Sequence, residues 1–207
     1  MKKLLTLILL LHLSLAYGQI PTSKEFKLSN AAPYEVIDGK KWYIGYDDKI
    51  IAFKQSKKGL HAQKFDAEKG ALKSRKEYPA LNSKASIVDV LKHNGQVIVF
   101  YEEYNKDNSS ENLFYFTINS ETLAVGPRKK IVSTSKKIRN RTFKIEQNFS
   151  GDVIAVSYSL KPDVKMNKKS FEIVGYHVFD GDMNPLWDRE LELPETEAKL
   201  DVISYCI

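Results

Sequence analysis

The sequence predicts an all-β fold: a partial β-propeller of about three four-stranded antiparallel blades, followed by the first strand of a fourth. Three observations carry that expectation. Short β-branched and aromatic runs are separated by Asn-Gly, Ser-Gly and Asp-Gly turns, which supply the φ > 0 residues that tight hairpins need. Helical periodicity is weak after residue 19. A pair of hairpin units recurs three times at about 40–60 residues per copy, the length of a propeller blade. A β-sandwich of about a dozen strands is the alternative.

The first 18 residues read as a secretory signal peptide. Lys2 and Lys3 precede a short apolar run from Leu4 to Leu15. Ala16-Tyr17-Gly18 puts small residues at −3 and −1, so cleavage is expected before Gln19. The run is too short to cross a bilayer core of roughly 30 Å. The chain is therefore expected to be exported, to the periplasm, the outer membrane surface or the extracellular space. No transmembrane segment is expected after cleavage. Residues 19–40, with Pro21, Pro33 and Asp38-Gly39, read as a leading arm or edge strand, and 41–207 as the repeat domain.

In the first copy, Trp42–Tyr46 and Lys49–Phe53 flank Asp47-Asp48. In the second, Ile87–Leu91 and Gln96–Phe100 flank His93-Asn94-Gly95. In the third, Phe143–Ile145 and Asp152–Val156 flank Phe149-Ser150-Gly151. A second unit follows each time, an apolar strand that closes on Phe65-Asp66, Ile118-Asn119 or Phe179-Asp180. The fourth strands open near Leu72, Leu123 and Leu186. The three units then span roughly 42–78, 86–131 and 142–193, and Lys199–Ile203 begins a fourth. A closed propeller takes about four to eight blades, so a truncated chain is the expectation. The phenylalanines at strand positions (Phe53, Phe100, Phe114, Phe116, Phe149, Phe179) read as blade packing.

Ser150 with Asp152, then Val178-Phe179-Asp180, then Leu186-Trp187 resemble the repeat motifs of secreted propeller-like proteins (WD40-like or TolB-like repeats) of Gram-negative bacterial envelopes. The resemblance covers about residues 40–205 and is clearest in the third unit. It implies a fold and an export route, and no reaction.

Composition narrows the function classes. Hydrophobic residues are 43% and charged residues 28%, the proportions of a globular chain rather than a disordered one. One cysteine, Cys206, excludes an internal disulfide framework. With three histidines outside the leader, a His/Cys zinc cluster is not expected. No Gly-rich phosphate loop, HExxH, CxxC or GxSxG occurs, and no cofactor or metal is expected. Asp180-x-Asp182-x-Asn184 imitates a calcium loop, but Pro185 and Leu191 stand where Gly and a bidentate Glu are needed. Glu102-Glu103 and Glu190/Glu192 are carboxylate pairs that also fit alternating charge on an outer strand. Asn108, Asn140 and Asn148 begin glycosylation sequons.

The net charge is +6, and blade topology sorts it. Turns joining strands 1–2 and 3–4 gather at one end, with Lys49, Lys69 and Lys92 against eight acids. Loops joining strands 2–3 and successive blades gather at the other, with fourteen basic residues against six acids. The densest stretch supplies the candidate anion-binding set: Arg128, Lys129, Lys130, Lys136, Lys137, Arg139 and Arg141. The expected function is a non-catalytic exported binding or scaffold module. Its partner would be an anionic polysaccharide, another phosphate- or carboxylate-bearing envelope component, or a protein. Nucleic acid is not expected, since no recognition motif is present. The alternative is the front part of an envelope hydrolase with catalytic residues beyond residue 207.

Overall fold

The computed structural model describes residues 41–79, 81, 85–135, 138, 143–160 and 171–196. The predicted leader and arm (1–40) and the fourth-unit strand (199–203) lie outside the described residues. Twelve strands and no helix occur among the described residues. They form three antiparallel meanders, none closed into a barrel. The first is β1 (Lys41–Gly45), β2 (Lys49–Ser56), β3 (Gly59–Asp66) and β4 (Leu72–Tyr78). The second is β5 (Ala85–His93), β6 (Gln96–Asn105), β7 (Ser110–Asn119) and β8 (Lys129–Thr134). The third is β9 (Lys144–Gln147), β10 (Val153–Leu160), β11 (Phe171–Asp180) and β12 (Pro185–Thr196).

The sheets stack with the second in the middle, and β6 shows why its sequence is a solid apolar run. Val97, Val99 and Tyr101 face the first sheet, beside Ile51, Phe53 and Leu60. Ile98 and Phe100 alternate with them and face the third, beside Ile154, Val156 and Tyr158. A strand covered on both faces needs apolar side chains at both parities. The innermost strands neighbour one another, β1 beside β5 and β5 beside β9, while the fourth strands lie at the free edges of their sheets. That is a radial arrangement of blades, and three sheets replace the two of a sandwich.

The outer edges are blunted by charge and bulges. β4 reads Leu-Lys-Ser-Arg-Lys-Glu-Tyr and is mostly exposed. The pairing of strands three and four carries a register shift in every sheet. Bulges of this kind twist an edge away from foreign strands.

The recurring Asp or Asn at the end of the third strand has a physical cause. Asp66 Oδ1 accepts the N–H groups of Glu68 (3.0 Å) and Lys69 (2.8 Å). Asn119 Oδ1 accepts those of Glu121 and Thr122, both at 2.9 Å. Asp180 Oδ1 accepts that of Asn184 at 2.8 Å. Each side chain thereby replaces strand partners that the backbone loses as it turns. The Ser-x-Asp motif works similarly: Ser150 Oγ and Asn148 Nδ2 donate to Asp152 Oδ1 at 2.5 and 2.6 Å, which braces the β9–β10 turn.

These turns also lock blade to blade. The Lys49 ammonium lies beside Asp48 (3.2 Å) and bonds Glu121 of the second blade. Tyr46 Oη donates to the Gln96 carbonyl at 3.0 Å, and Lys92 Nζ to the Gly45 carbonyl at 2.9 Å. At the next junction His93 Nε2 sits 3.2 Å from Asp182 Oδ1. Within a blade the first and third turns touch, as Ala67 N–H donates to Asp48 O (3.0 Å) and Ser120 N–H to Gly95 O (3.1 Å). The predicted sorting of these turns to a common end therefore holds.

Four placements differ from expectation. β8 opens at Lys129 rather than near Leu123, because Leu123, with φ of 55°, belongs to the turn and only the isolated bridge of Val125 to Ile118 precedes the strand. Lys49, and Lys54 of the fourteen basic residues expected in the loops at the other end, are buried at 6% and 1% exposure. Both lie inside β2, and the Lys49 ammonium passes over the Tyr46 ring at 5.0 Å toward its carboxylate partners. Phe149 is not blade packing: it stands fully exposed at the tip of the β9–β10 turn, where no sheet face covers it.

Candidate functional site

Of the seven predicted anion-binding residues, Lys136, Lys137, Arg139 and Arg141 lie outside the described residues. The other three are divided by strand geometry. Successive side chains of a strand point to opposite faces. Lys130 pairs with Phe114 on the side toward the first sheet, while Lys129 pairs with Tyr115 on the side toward the third. Lys129 Nζ lies 5.8 Å from the Tyr115 ring centroid and lines a second cleft between the second and third blades, which Lys130 also borders.

Arg128 and Lys130 converge on a cleft of about 360 Å³ at the β6–β7 end of the second blade. Arg128 is held from two directions. Its guanidinium sits 3.6 Å over the centroid of Phe114 and 5.4 Å from that of Tyr101, rings that are themselves stacked at 5.5 Å. Its Nη2 donates to Glu103 Oε2 at 2.7 Å. The side chain remains 48% exposed, so part of its five-donor fork is open to the cleft. Burial pushes the Tyr101 hydroxyl up to about 12 against the pull of Arg128, so this ring stays neutral beneath the cation.

The rest of the lining mixes donors and acceptors. Ser133 Oγ donates to Asn112 Oδ1 at 2.7 Å, and Asn112 Nδ2 donates to Ser110 Oγ at 3.0 Å, which fixes the floor. Lys106 and Asp107 enter from the β6–β7 loop, and Tyr104 stands 47% exposed on the lining. Ile138 is tied to the same end. Fully buried, it donates its N–H to Glu111 Oε2 at 3.2 Å and bridges Leu160. In the strand 2–3 loops of the described residues, the exposed Lys57, Lys58 and Lys106 stand against the exposed Asp107 and the half-buried Glu103 and Glu111. The predicted basic excess of that end resides in residues outside them.

Charge density in the sequence points to Arg128 and Lys130, but not to the partners that shape them. Phe114 was assigned to packing alone, although its pairing with the position of Lys130 follows from strand alternation. Glu103 is expected from the sequence as a loop charge and as half of the Glu102-Glu103 carboxylate pair, not as the partner of Arg128. The other motifs settle into structural work. Asp180 and Asp182 are committed to Asn184 and His93, and no cluster of three His, Cys, Asp or Glu suited to a metal occurs among the described residues. Glu190 shares a sheet face with Gly175 and accepts the Tyr158 hydroxyl at 3.3 Å.

That face also gives a pH dependence. Burial holds the His177 imidazole below its ordinary value, against the opposing pull of Asp188 and Glu190 on the neighbouring strand. A depressed histidine favours the neutral form in the fold, so its contribution is present above about pH 6.5 and fades as the pH falls. Asp66, Asp152 and Asp180 are held low chiefly by hydrogen bonds, Asp66 from the Lys69 N–H, Asp152 from Ser150 and Asp180 from Asn184, and they act in the same direction at lower pH. Thermal denaturation is expected to show Tm falling from pH 7 to pH 4. A His177→Gln variant should flatten the part of that decline just below pH 6.5. A Tm that rises on acidification would contradict the assignment.

No family model matches the chain, and no curated protein matches it.

Proposed function

We propose that this protein is a non-catalytic exported binding module that holds anionic polymers, acidic glycans or phosphate-bearing envelope components, at the β6–β7 end of its second blade. The observation that carries the reading is the positioned arginine. Arg128 is stacked on Phe114 and bonded to Glu103, yet half exposed beside Lys130 in a concave site. A pre-ordered guanidinium loses little side-chain entropy on meeting a carboxylate or phosphate, and its fork matches either group. The predicted leader and the basic residues at 136–141 support the same reading from the sequence.

Binding of polygalacturonate, polyphosphate and neutral dextran to the full chain tests this by titration calorimetry at two salt concentrations. At least one polyanion should bind saturably, weaken several-fold as salt rises, and weaken about fivefold or more in a Lys106→Ala/Lys130→Ala variant. Dextran should not bind. Absence of binding by both polyanions would end the proposal.

A further inference from the structure

We infer that the Arg128 cleft is built for a carboxylated sugar unit, a uronate within an acidic glycan, rather than for a phosphate group; this rests on the anion-binding reading above. A phosphate offers acceptors almost exclusively, and a site for it is lined by donors. This cleft is not. It sets the cations Lys106, Arg128 and Lys130 beside the carboxylates Glu103 and Asp107, donors and acceptors together. Acceptors so close to a phosphate would repel it, whereas each can take a hydroxyl hydrogen from a pyranose ring.

The donor and acceptor pattern thus has two halves. The planar Arg128 fork, fixed by Phe114, suits a planar carboxylate in two parallel bonds. The carboxylates suit a ring carrying several hydroxyl groups. Tyr104 adds an aromatic surface at the same cleft, almost half exposed, which can lie against the C–H face of a sugar. The cleft volume of about 360 Å³ is that of a small-molecule site rather than of an extended groove.

The test titrates the full chain with an oligogalacturonate, with polyphosphate of matched charge and with a neutral oligosaccharide of the same length. The oligogalacturonate should bind at least tenfold more tightly than either of the others. Arg128→Lys, which keeps the charge and removes the fork, should cut its affinity about tenfold while changing polyphosphate affinity less than twofold. Tyr104→Ala alters an exposed side chain and should also weaken oligogalacturonate about tenfold. Polyphosphate binding as well as or better than oligogalacturonate would overturn the inference while leaving the anion-binding reading standing. So would unchanged oligogalacturonate affinity in both variants. Failure of every anion to bind would remove both.

Discussion

Replacing Leu123 with alanine is expected to lower unfolding free energy by about 2–5 kcal/mol, and replacing it with glycine should cost no more than alanine does. Leu123 has φ of 55°, in the left-handed region, and is 2% exposed in the core between the first and second blades. Its equivalents in the other turns are Gly70 (φ 63°) and Met183 (φ 64°). The Asx-capped turn demands that backbone conformation, and glycine meets it without strain in the first copy. In the second and third copies a leucine and a methionine bear a cost on the order of 1 kcal/mol in backbone strain. Burial of their side chains, against the first blade for Leu123 and the second for Met183, outweighs it. Alanine keeps the strain and loses the packing, whereas glycine loses the packing and relieves the strain. Urea denaturation should therefore rank glycine level with or above alanine, the reverse of their usual order in a strand or helix. A cost below about 0.5 kcal/mol for Leu123→Ala, or a glycine variant clearly weaker than the alanine one, would show that this side chain does not plug the junction.

The same residue shows how far the fold was legible in the sequence. Strand ends and turn residues were legible because local chemistry sets them. Asp66, Asn119 and Asp180 end their strands where the reading placed them, since an Asx side chain caps the turn whatever lies nearby. The grouping into three four-stranded sheets followed, because short turns force neighbours to pair. Contacts between blades were not legible. Nothing local marks Lys49 as the partner of Glu121, or Lys54 as buried. The candidate site divides in the same way. Charge density pointed to Arg128 and Lys130, but Glu103 and Phe114 come from strands β6 and β7 and reach Arg128 only through sheet register. Lys129, adjacent in sequence, was grouped with them and points to the other face.

A substitution at Gly59 should travel furthest through the molecule. Gly59 follows the Lys57-Lys58 turn with φ of 137°, a conformation reserved for glycine. A Cβ built there would overlap the Tyr78 carbonyl oxygen and stand 3.0 Å from Pro79 Cα. Both neighbours are backbone, so no rotamer change can clear the space. Gly59→Ala is expected to destabilise by about 2–6 kcal/mol, from backbone strain and overpacking together. The damage should not stay in the first blade. Tyr78 Oη donates to the Leu123 carbonyl at 2.8 Å, so displacing the end of β4 strains the contact between first and second blades. A double-mutant cycle separates the local from the transmitted part. In the parent chain Tyr78→Phe should cost about 1 kcal/mol, the worth of one buried hydrogen bond. In the Gly59→Ala background it should cost much less, because the bond is already lost. Equal costs in both backgrounds would show that the turn and the interblade contact are independent, and that the close approach at Tyr78 is only local crowding.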